Sequence, residues 1–121
     1  MATNVQKSIP EATIICGDSR YIFEASINTY VNEPTTFFLD AHHQKEGQPF
    51  VTTALHELLA ISKHPLLNYF TILIDDIRLF RSSYWGVNFD TLIKFVNNVK
   101  PNVKIDYIDN RLFKDDIMVL T

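Results

Sequence analysis

Two short hydrophobic runs that each end in aspartate constrain the fold of this chain more than any other feature. Residues 36–40 and 71–76 have the pattern of buried strands, with β-branched or aromatic side chains followed by acid. A helix-length segment separates them, so a right-handed crossover would place both strands parallel in one sheet. The carboxylates of Asp40, Asp75 and Asp76 are then predicted to meet at the edge where open α/β sheets bind ligands.

Composition narrows the class of protein. The chain has 121 residues, enough for one domain with a real core, and a formal net charge of -3. We expect no nucleic-acid or membrane partner, because the chain carries no basic field.

Cys16 is the only cysteine, which excludes an internal disulfide and a cysteine-based zinc cluster, and its apolar surroundings predict a buried thiol. No apolar stretch approaches the roughly 20 residues of a membrane helix, so we predict a cytoplasmic protein.

Strand-like and helix-like segments alternate along the chain. We predict a flexible arm over residues 1–11 and a single domain over 12–121, with loops over 41–50 and 78–86. The remaining segments are predicted as strands over 12–16, 36–40 and 69–74, helices over 20–31, 51–62 and 89–99, and a closing pair of strands over 103–108 and 116–120. This order predicts an α/β fold: a Rossmann-like three-layer sandwich of about five strands, mostly parallel, with a C-terminal antiparallel hairpin.

The three aspartates are the residue type that a hard divalent cation such as Mg²⁺ prefers. Neighbouring residues on a strand point to opposite faces, so Asp75 and Asp76 can converge on one ion only if the strand breaks there. The alternative is a structural role, in which one or both carboxylates cap the next turn or pair with Arg78 or Arg81.

Histidines supply a second set of candidates. His42 and His43 follow Asp40 and are candidate proton-transfer or substrate-binding groups, with solvated bystanders as the alternative. His56 and Glu57 begin like a zinc-protease motif, but the second histidine that the motif needs is absent. His64, next to a proline, is predicted to interact with the end of a helix.

The turn Gly17-Asp18-Ser19 lies where a predicted strand leads into a helix. Glycine permits a tight turn, Asp18 can accept hydrogen bonds from a ligand, and Ser19 can cap the helix. A plain turn and cap is the alternative interpretation. The three glycines of the chain lie far apart, so no dinucleotide-binding loop or P-loop is present.

As an ordered set, the Gly17-Asp18-Ser19 turn, the run through Asp40-Ala41-His42, the run ending in Asp75-Asp76 and the closing hairpin resemble a known family. The chain is similar to the C-terminal half of a class I S-adenosylmethionine-dependent methyltransferase of the metal-dependent O-methyltransferase type. The resemblance implies that Asp40, Asp75 and Asp76 bind the metal ion. It also implies that Asp18, beside Ser19, lies near the adenine of S-adenosylmethionine, and that His42 or His43 acts as a general base toward a small-molecule acceptor.

The resemblance covers only about half of the family fold and lacks the glycine-rich cofactor loop. We therefore expect a truncated methyltransferase-like domain that is inactive alone. Either a longer reading frame or a complementary protein half would supply the part that binds the methyl donor. One alternative is a non-catalytic interaction module that forms a homodimer or binds a partner across an uncovered sheet edge. A last alternative is a metal-dependent phosphohydrolase or receiver-like domain, because acidic strand ends also serve phosphoryl chemistry.

Overall fold

The computed structural model describes residues 11–40, 42–44, 50–84 and 86–121, with the backbone alone for residues 42–44, 50 and 51. The described helices and strands follow one another in chain order. They are α1 (Ser19–Tyr30), β1 (Thr36–Leu39), β2 (His42–Gln44), β3 (Phe50–Thr52), α2 (Ala54–Ser62), a 3-10 turn (Leu67–Tyr69), β4 (Thr71–Ile74), α3 (Ile77–Arg81), α4 (Phe89–Val99), β5 (Ile105–Ile108) and β6 (Ile117–Leu120). The α/β class predicted from the sequence is confirmed.

Four strands form the main sheet in the order β1-β4-β6-β5. β1 and β4 are parallel, as predicted, whereas β6 is antiparallel to both β4 and β5. Three strands therefore point in one direction and the last strand is reversed. The reversed strand lies between β4 and β5, so only one of the three strand pairs is parallel. The prediction that most neighbouring strands pair in parallel is therefore wrong. The C-terminal antiparallel hairpin is confirmed.

One face of this sheet supplies the buried strand residues. Phe37, Ile72, Ile74, Met118 and Leu120 lie on that face and belong to a single core cluster with residues of all four helices. The opposite face is only partly covered: Phe38 is 54% exposed and Ile108 is 47% exposed. The described helices contact one another as a series, α1 with α2, α2 with α4, and α4 with α3. Residues of all four described helices belong to the one core cluster, so the predicted three-layer sandwich of about five strands is not confirmed.

Helix α4 has clear signals in the sequence at both ends and along its buried face. Its bounds are those predicted, and the Asn88 side chain caps it by accepting a hydrogen bond from the Thr91 amide at 2.8 Å. Leu92 and Val96, four residues apart, are fully buried. The chain then reaches Pro101, which cannot continue a helix.

No described helix is long and apolar enough to cross a membrane.

The N-terminal prediction fails. Residues 12–16 form no strand, and Cys16 is exposed rather than buried. A strand needs a hydrogen-bonded neighbour, and within the described residues β1 pairs only with β4. An apolar run alone does not show whether such a neighbour exists. The predicted arm falls almost wholly in residues 1–10, which lie outside the described residues.

Two predicted loops also contain regular structure. The segment over residues 41–50 contributes β2 and the start of β3, which pair as an antiparallel hairpin, and α2 consequently begins at Ala54 rather than residue 51. The segment over residues 78–86 contains the last four residues of α3, a helix of five residues that is too short to show a helical period. Trp85 lies outside the described residues.

Candidate functional site

The acidic strand ends meet because of the register of β1 and β4. Leu39 is paired with Ile74 in this parallel ladder, so the residues that follow each strand become neighbours at the same edge. The Asp75 amide donates a hydrogen bond to the Leu39 carbonyl at 3.2 Å, which fixes the first residue beyond β4 against the end of β1. The predicted convergence of Asp40 with Asp75 is confirmed.

Asp76 supplies the break in the strand that convergence requires. Its backbone is left-handed, at φ 60° and ψ 42°, a conformation that costs most side chains energy but that Asp tolerates better than most. The Asp75 Oδ1 atom accepts a hydrogen bond from the Asp76 amide at 2.8 Å and supports this turn. Both carboxylates therefore stay at the same edge instead of pointing to opposite faces of the sheet.

The carboxylates of Asp40, Asp75 and Asp76 each offer an oxygen, and these oxygens lie within 4.8 Å of one another. Ligand oxygens on opposite sides of a Ca²⁺ ion lie about 4.8 Å apart, and those around Mg²⁺ about 4.2 Å apart. The three oxygens are therefore close enough together to ligate one divalent cation of either size. The pocket between these residues, with Thr52 and Phe80 in its wall, has space for about one water-sized sphere.

An ion-pair network lies next to this cluster. Asp116 precedes β6, and its carboxylate is 1% exposed. It accepts hydrogen bonds from the Arg78 amide at 2.9 Å, from Arg78 Nη1 and from Asn110 Nδ2, so it caps α3 from a distant part of the chain. Arg78 Nη1 also donates to Asp76 Oδ1 at 3.1 Å. The structural alternative for Asp76, pairing with Arg78, is therefore present beside the cation geometry. No local sequence signal identifies Asp116, because its partner is 38 residues away.

Asp18 and Ser19 lie at the start of α1 and not among the clustered ligand oxygens. Asp18, rather than Ser19, caps the helix by accepting a hydrogen bond from the Arg20 amide at 2.9 Å. Both Asp18 carboxylate oxygens also accept hydrogen bonds from the Arg20 guanidinium, which raise the pKa of Arg20. Gly17 suits this turn because its φ of 154° is a backbone conformation that residues with a side chain rarely adopt. The predicted turn and helix cap are therefore present, with Asp18 in place of Ser19 as the capping residue, and the cofactor role of both residues stays a prediction.

The histidines have different positions. His42 and His43 belong to β2, but their side chains lie outside the described residues. His56 is exposed. His64 is buried: its Nδ1 accepts from the Leu66 amide at 3.1 Å, so its Nε2 donates to the Val31 carbonyl at 2.9 Å. His64 therefore ties the end of α1 to the segment after α2, a structural role beyond the predicted helix-end interaction.

Glu57 is a buried acid that sequence analysis treated only as part of an incomplete motif. It is 5% exposed in the first turn of α2, and its Oε1 accepts a hydrogen bond from the Thr53 hydroxyl at 2.8 Å. The Ser19 hydroxyl lies 3.4 Å from that of Thr53, which links the starts of α1 and α2. Burial raises the pKa of Glu57 above its usual 4.5, the nearby Asp18 charge adds to the rise, and the hydroxyl hydrogen bonds oppose it.

This environment predicts a pH-dependent stability. The raised pKa means that the folded state holds the Glu57 proton more tightly than the unfolded chain does. Protonated Glu57 therefore contributes its full share to the free energy of unfolding below pH 4.5, and this contribution is lost as pH rises through the folded pKa. We expect Glu57→Gln to keep the Thr53 hydrogen bond, to raise the free energy of unfolding at pH 7 by about 1 kcal/mol, and to flatten its dependence on pH above 4.5. Urea unfolding at a series of pH values measures this. A Glu57→Gln protein less stable than wild type at pH 7 would show that the carboxylate is needed in its charged form.

Comparison with protein-family models, with curated proteins and with solved structures gave no match. The function must therefore be inferred from the residues and their geometry.

Proposed function

We propose that this chain is a divalent-cation-binding α/β domain that resembles the metal and acceptor half of a metal-dependent O-methyltransferase. The observation that carries the proposal is the convergence of Asp40, Asp75 and Asp76 at the carboxyl ends of two parallel strands. Arg78 pairs with Asp76 and Asp116, and the carboxylates of Asp40 and Asp75 lie beside this pair, so the edge is rich in the anionic oxygens that a divalent cation prefers.

The backbone around the site adds support. A non-glycine residue in the left-handed conformation at a strand end costs energy, and such strain is common where a structure positions functional groups. The reversed last strand is also what the family resemblance leads one to expect. A bound ion would polarise an acceptor hydroxyl and lower its pKa. His42 and His43 lie two and three residues after Asp40 in the sequence and remain our candidates for a general base.

The residues fit the methyl donor less well than the ion. Asp18, the candidate for the adenine position, is committed to its helix cap and to Arg20, and the chain has no glycine-rich loop. We therefore propose that S-adenosylmethionine binding and methyl transfer require a complementary protein half.

Calorimetric titration with Mg²⁺, Ca²⁺ and S-adenosylmethionine tests whether this chain alone binds the cation but not the methyl donor. We expect one saturable cation site and no heat from S-adenosylmethionine, with or without Mg²⁺. Absence of cation binding would refute the metal assignment. Tight binding of S-adenosylmethionine by the isolated chain would instead contradict the proposed need for a partner.

The edge position of β1 favours a second function, as an interaction module. Within the described residues one side of β1 faces no other strand, and Phe38 in its centre is 54% exposed. Unpaired strand edges bind other strands through backbone hydrogen bonds. A second copy fits this edge, because two identical strands can pair antiparallel across a two-fold axis. We propose a homodimer that joins the two sheets through β1.

Light scattering during size-exclusion chromatography tests the homodimer. We expect wild type to elute as a dimer and Phe38→Lys to elute as a folded monomer, because an exposed lysine on an edge strand opposes pairing. Circular dichroism verifies that the variant folds. A wild-type protein that stays monomeric at every concentration would exclude this dimer.

A further inference from the structure

A second cavity, which shares no lining residue with the pocket at the acidic cluster, is lined mainly by basic side chains. Its volume is about 290 Å³, near the lower limit for small-ligand pockets. It is lined by three basic residues, Arg78, Arg81 and Lys114, and by Asp115 and Asp116. Asp116 is already neutralised by Arg78, which leaves Arg81 and Lys114 facing the single carboxylate of Asp115.

Arg81 is held in place without an acidic partner. Its guanidinium lies 4.5 Å from the centre of the Phe89 ring and 5.4 Å from that of Tyr107. Among the described residues it makes no ion pair and no hydrogen bond, so its planar set of donors is available to a ligand. Stacking on aromatic rings orients an arginine before a ligand arrives, which lowers the entropy that binding costs.

Arg78 contributes donors to the same cavity. Its Nη1 donates to Asp76 and Asp116, and its Nε and Nη2 have no acceptor within the described part of the chain. Its guanidinium carbon lies 3.9 Å from the centre of the Phe113 ring. Two oriented guanidinium groups therefore line one small cavity.

The loop that carries Lys114 is fixed by hydrogen bonds from its own residues. Asn110 Oδ1 accepts from the amides of Leu112 and Phe113 at 2.8 and 2.7 Å, and Asn110 Nδ2 donates to the buried Asp116. The Asp115 amide donates to Asp109 Oδ1 at 2.8 Å. The wall of the cavity is thus largely preformed. The Lys114 ammonium makes no ion pair with any described residue.

We propose that this cavity binds the phosphoryl group of a small molecule through Arg81, Arg78 and Lys114. Two planar guanidinium groups match the oxygens of a phosphoryl group in bidentate geometry, and a dianion gains more than a carboxylate does from the positive charges of Arg81 and Lys114, which no acid neutralises fully. The chain as a whole is negative, so the attraction must come from this local arrangement. The two sites share no ligand group, but Arg78 Nη1 donates to Asp76 and so connects them, and the phosphate site is therefore tested without metal.

Titration with inorganic phosphate in metal-free buffer tests the site, with calorimetry and the Arg81 side-chain N–H signals in NMR as readouts. We expect saturable binding that is at least about tenfold weaker in Arg81→Gln and several-fold weaker in Lys114→Gln. Arg81→Lys should be intermediate, because it keeps the charge and loses the planar donors. Asp115→Asn should bind more tightly, because it removes the one unneutralised carboxylate from the cavity.

Lys94→Gln is the matched control, since it removes one exposed positive charge from α4 away from the cavity and should leave the affinity unchanged. Lys114 lies in an exposed loop, so its variant tests the site even if substitution of Arg81 perturbs folding. Absence of saturable phosphate binding would overturn the proposal. So would equal loss of affinity in Lys94→Gln and Lys114→Gln, an Asp115→Asn protein that binds no better than wild type, or acetate binding as tight as phosphate binding.

Discussion

Asp116→Ala is expected to lower the free energy of unfolding by about 3 kcal/mol, a large part of the stability of a domain this size. Asp116 is 1% exposed and accepts hydrogen bonds from the Arg78 amide, the Arg78 guanidinium and the Asn110 amide group. Alanine would leave these donors without their acceptor and leave α3 without its cap. Urea unfolding at neutral pH, followed by circular dichroism, measures the loss.

Two further variants show whether the loss of stability in Asp116→Ala comes from the buried network or from the loss of an acidic side chain in general. Asp116→Asn keeps the size of the side chain and one acceptor oxygen but loses the charge, so we expect a smaller loss than with alanine. Asp106→Ala removes an exposed acid whose nearest ammonium is 3.6 Å away, and it should change stability by less than about 0.5 kcal/mol. If Asp116→Ala and Asp106→Ala unfold at the same urea concentration, the buried network does not stabilise the fold.

Asp75→Asn is expected to have opposite effects without and with a divalent cation. Without the ion, three carboxylates whose oxygens lie within 4.8 Å repel one another, so removing one charge should raise the melting temperature. Asparagine retains an oxygen that can accept the Asp76 amide hydrogen bond, so the turn should persist. With the ion, wild type at one hundred times its dissociation constant gains about 2.7 kcal/mol, and the variant should lose most of that gain.

Thermal unfolding of wild type and Asp75→Asn over a range of Mg²⁺ and Ca²⁺ concentrations measures both effects. Asp106→Asn is the control for a general loss of negative charge, because it removes one exposed carboxylate from β5 and should respond to cations as wild type does. An Asp75→Asn protein that Mg²⁺ and Ca²⁺ stabilise as much as wild type would remove Asp75 from the ligand set.

The parts of the fold that the sequence predicts are those with a local signal. Helix α4 has a capping residue, an apolar face and a following proline, and β4 has a continuous apolar run followed by acid. The segment over residues 12–16 has a similar run but no strand partner among the described residues. A pairing partner is a tertiary property, so an apolar run alone does not separate the two cases.

The candidate site divides in the same way. Asp40, Asp75 and Asp76 could be predicted to meet, because parallel strands bring their carboxyl ends to one edge. The left-handed backbone at Asp76 brings its carboxylate beside that of Asp75. The sequence allows this conformation at an aspartate but does not predict it. Asp116 owes its importance to burial and to a partner in a distant segment, and Glu57 owes its importance to burial; no spacing rule shows either property. The cavity around Arg81 also depends on tertiary contacts, since Phe89 and Tyr107 come from different elements.

Paramagnetic broadening by Mn²⁺ in the ¹⁵N–¹H spectrum tests the central claim, a cation site at the ends of β1 and β4, most directly. Mn²⁺ prefers the same oxygen ligands as Mg²⁺ and broadens signals from nearby amides. We predict that substoichiometric Mn²⁺ broadens the amide signals around Asp40, Asp75 and Asp76 first, and that Mg²⁺ reverses the effect. Broadening that is absent, or that begins at another acidic segment such as Asp109 and Asp115, would contradict the claim.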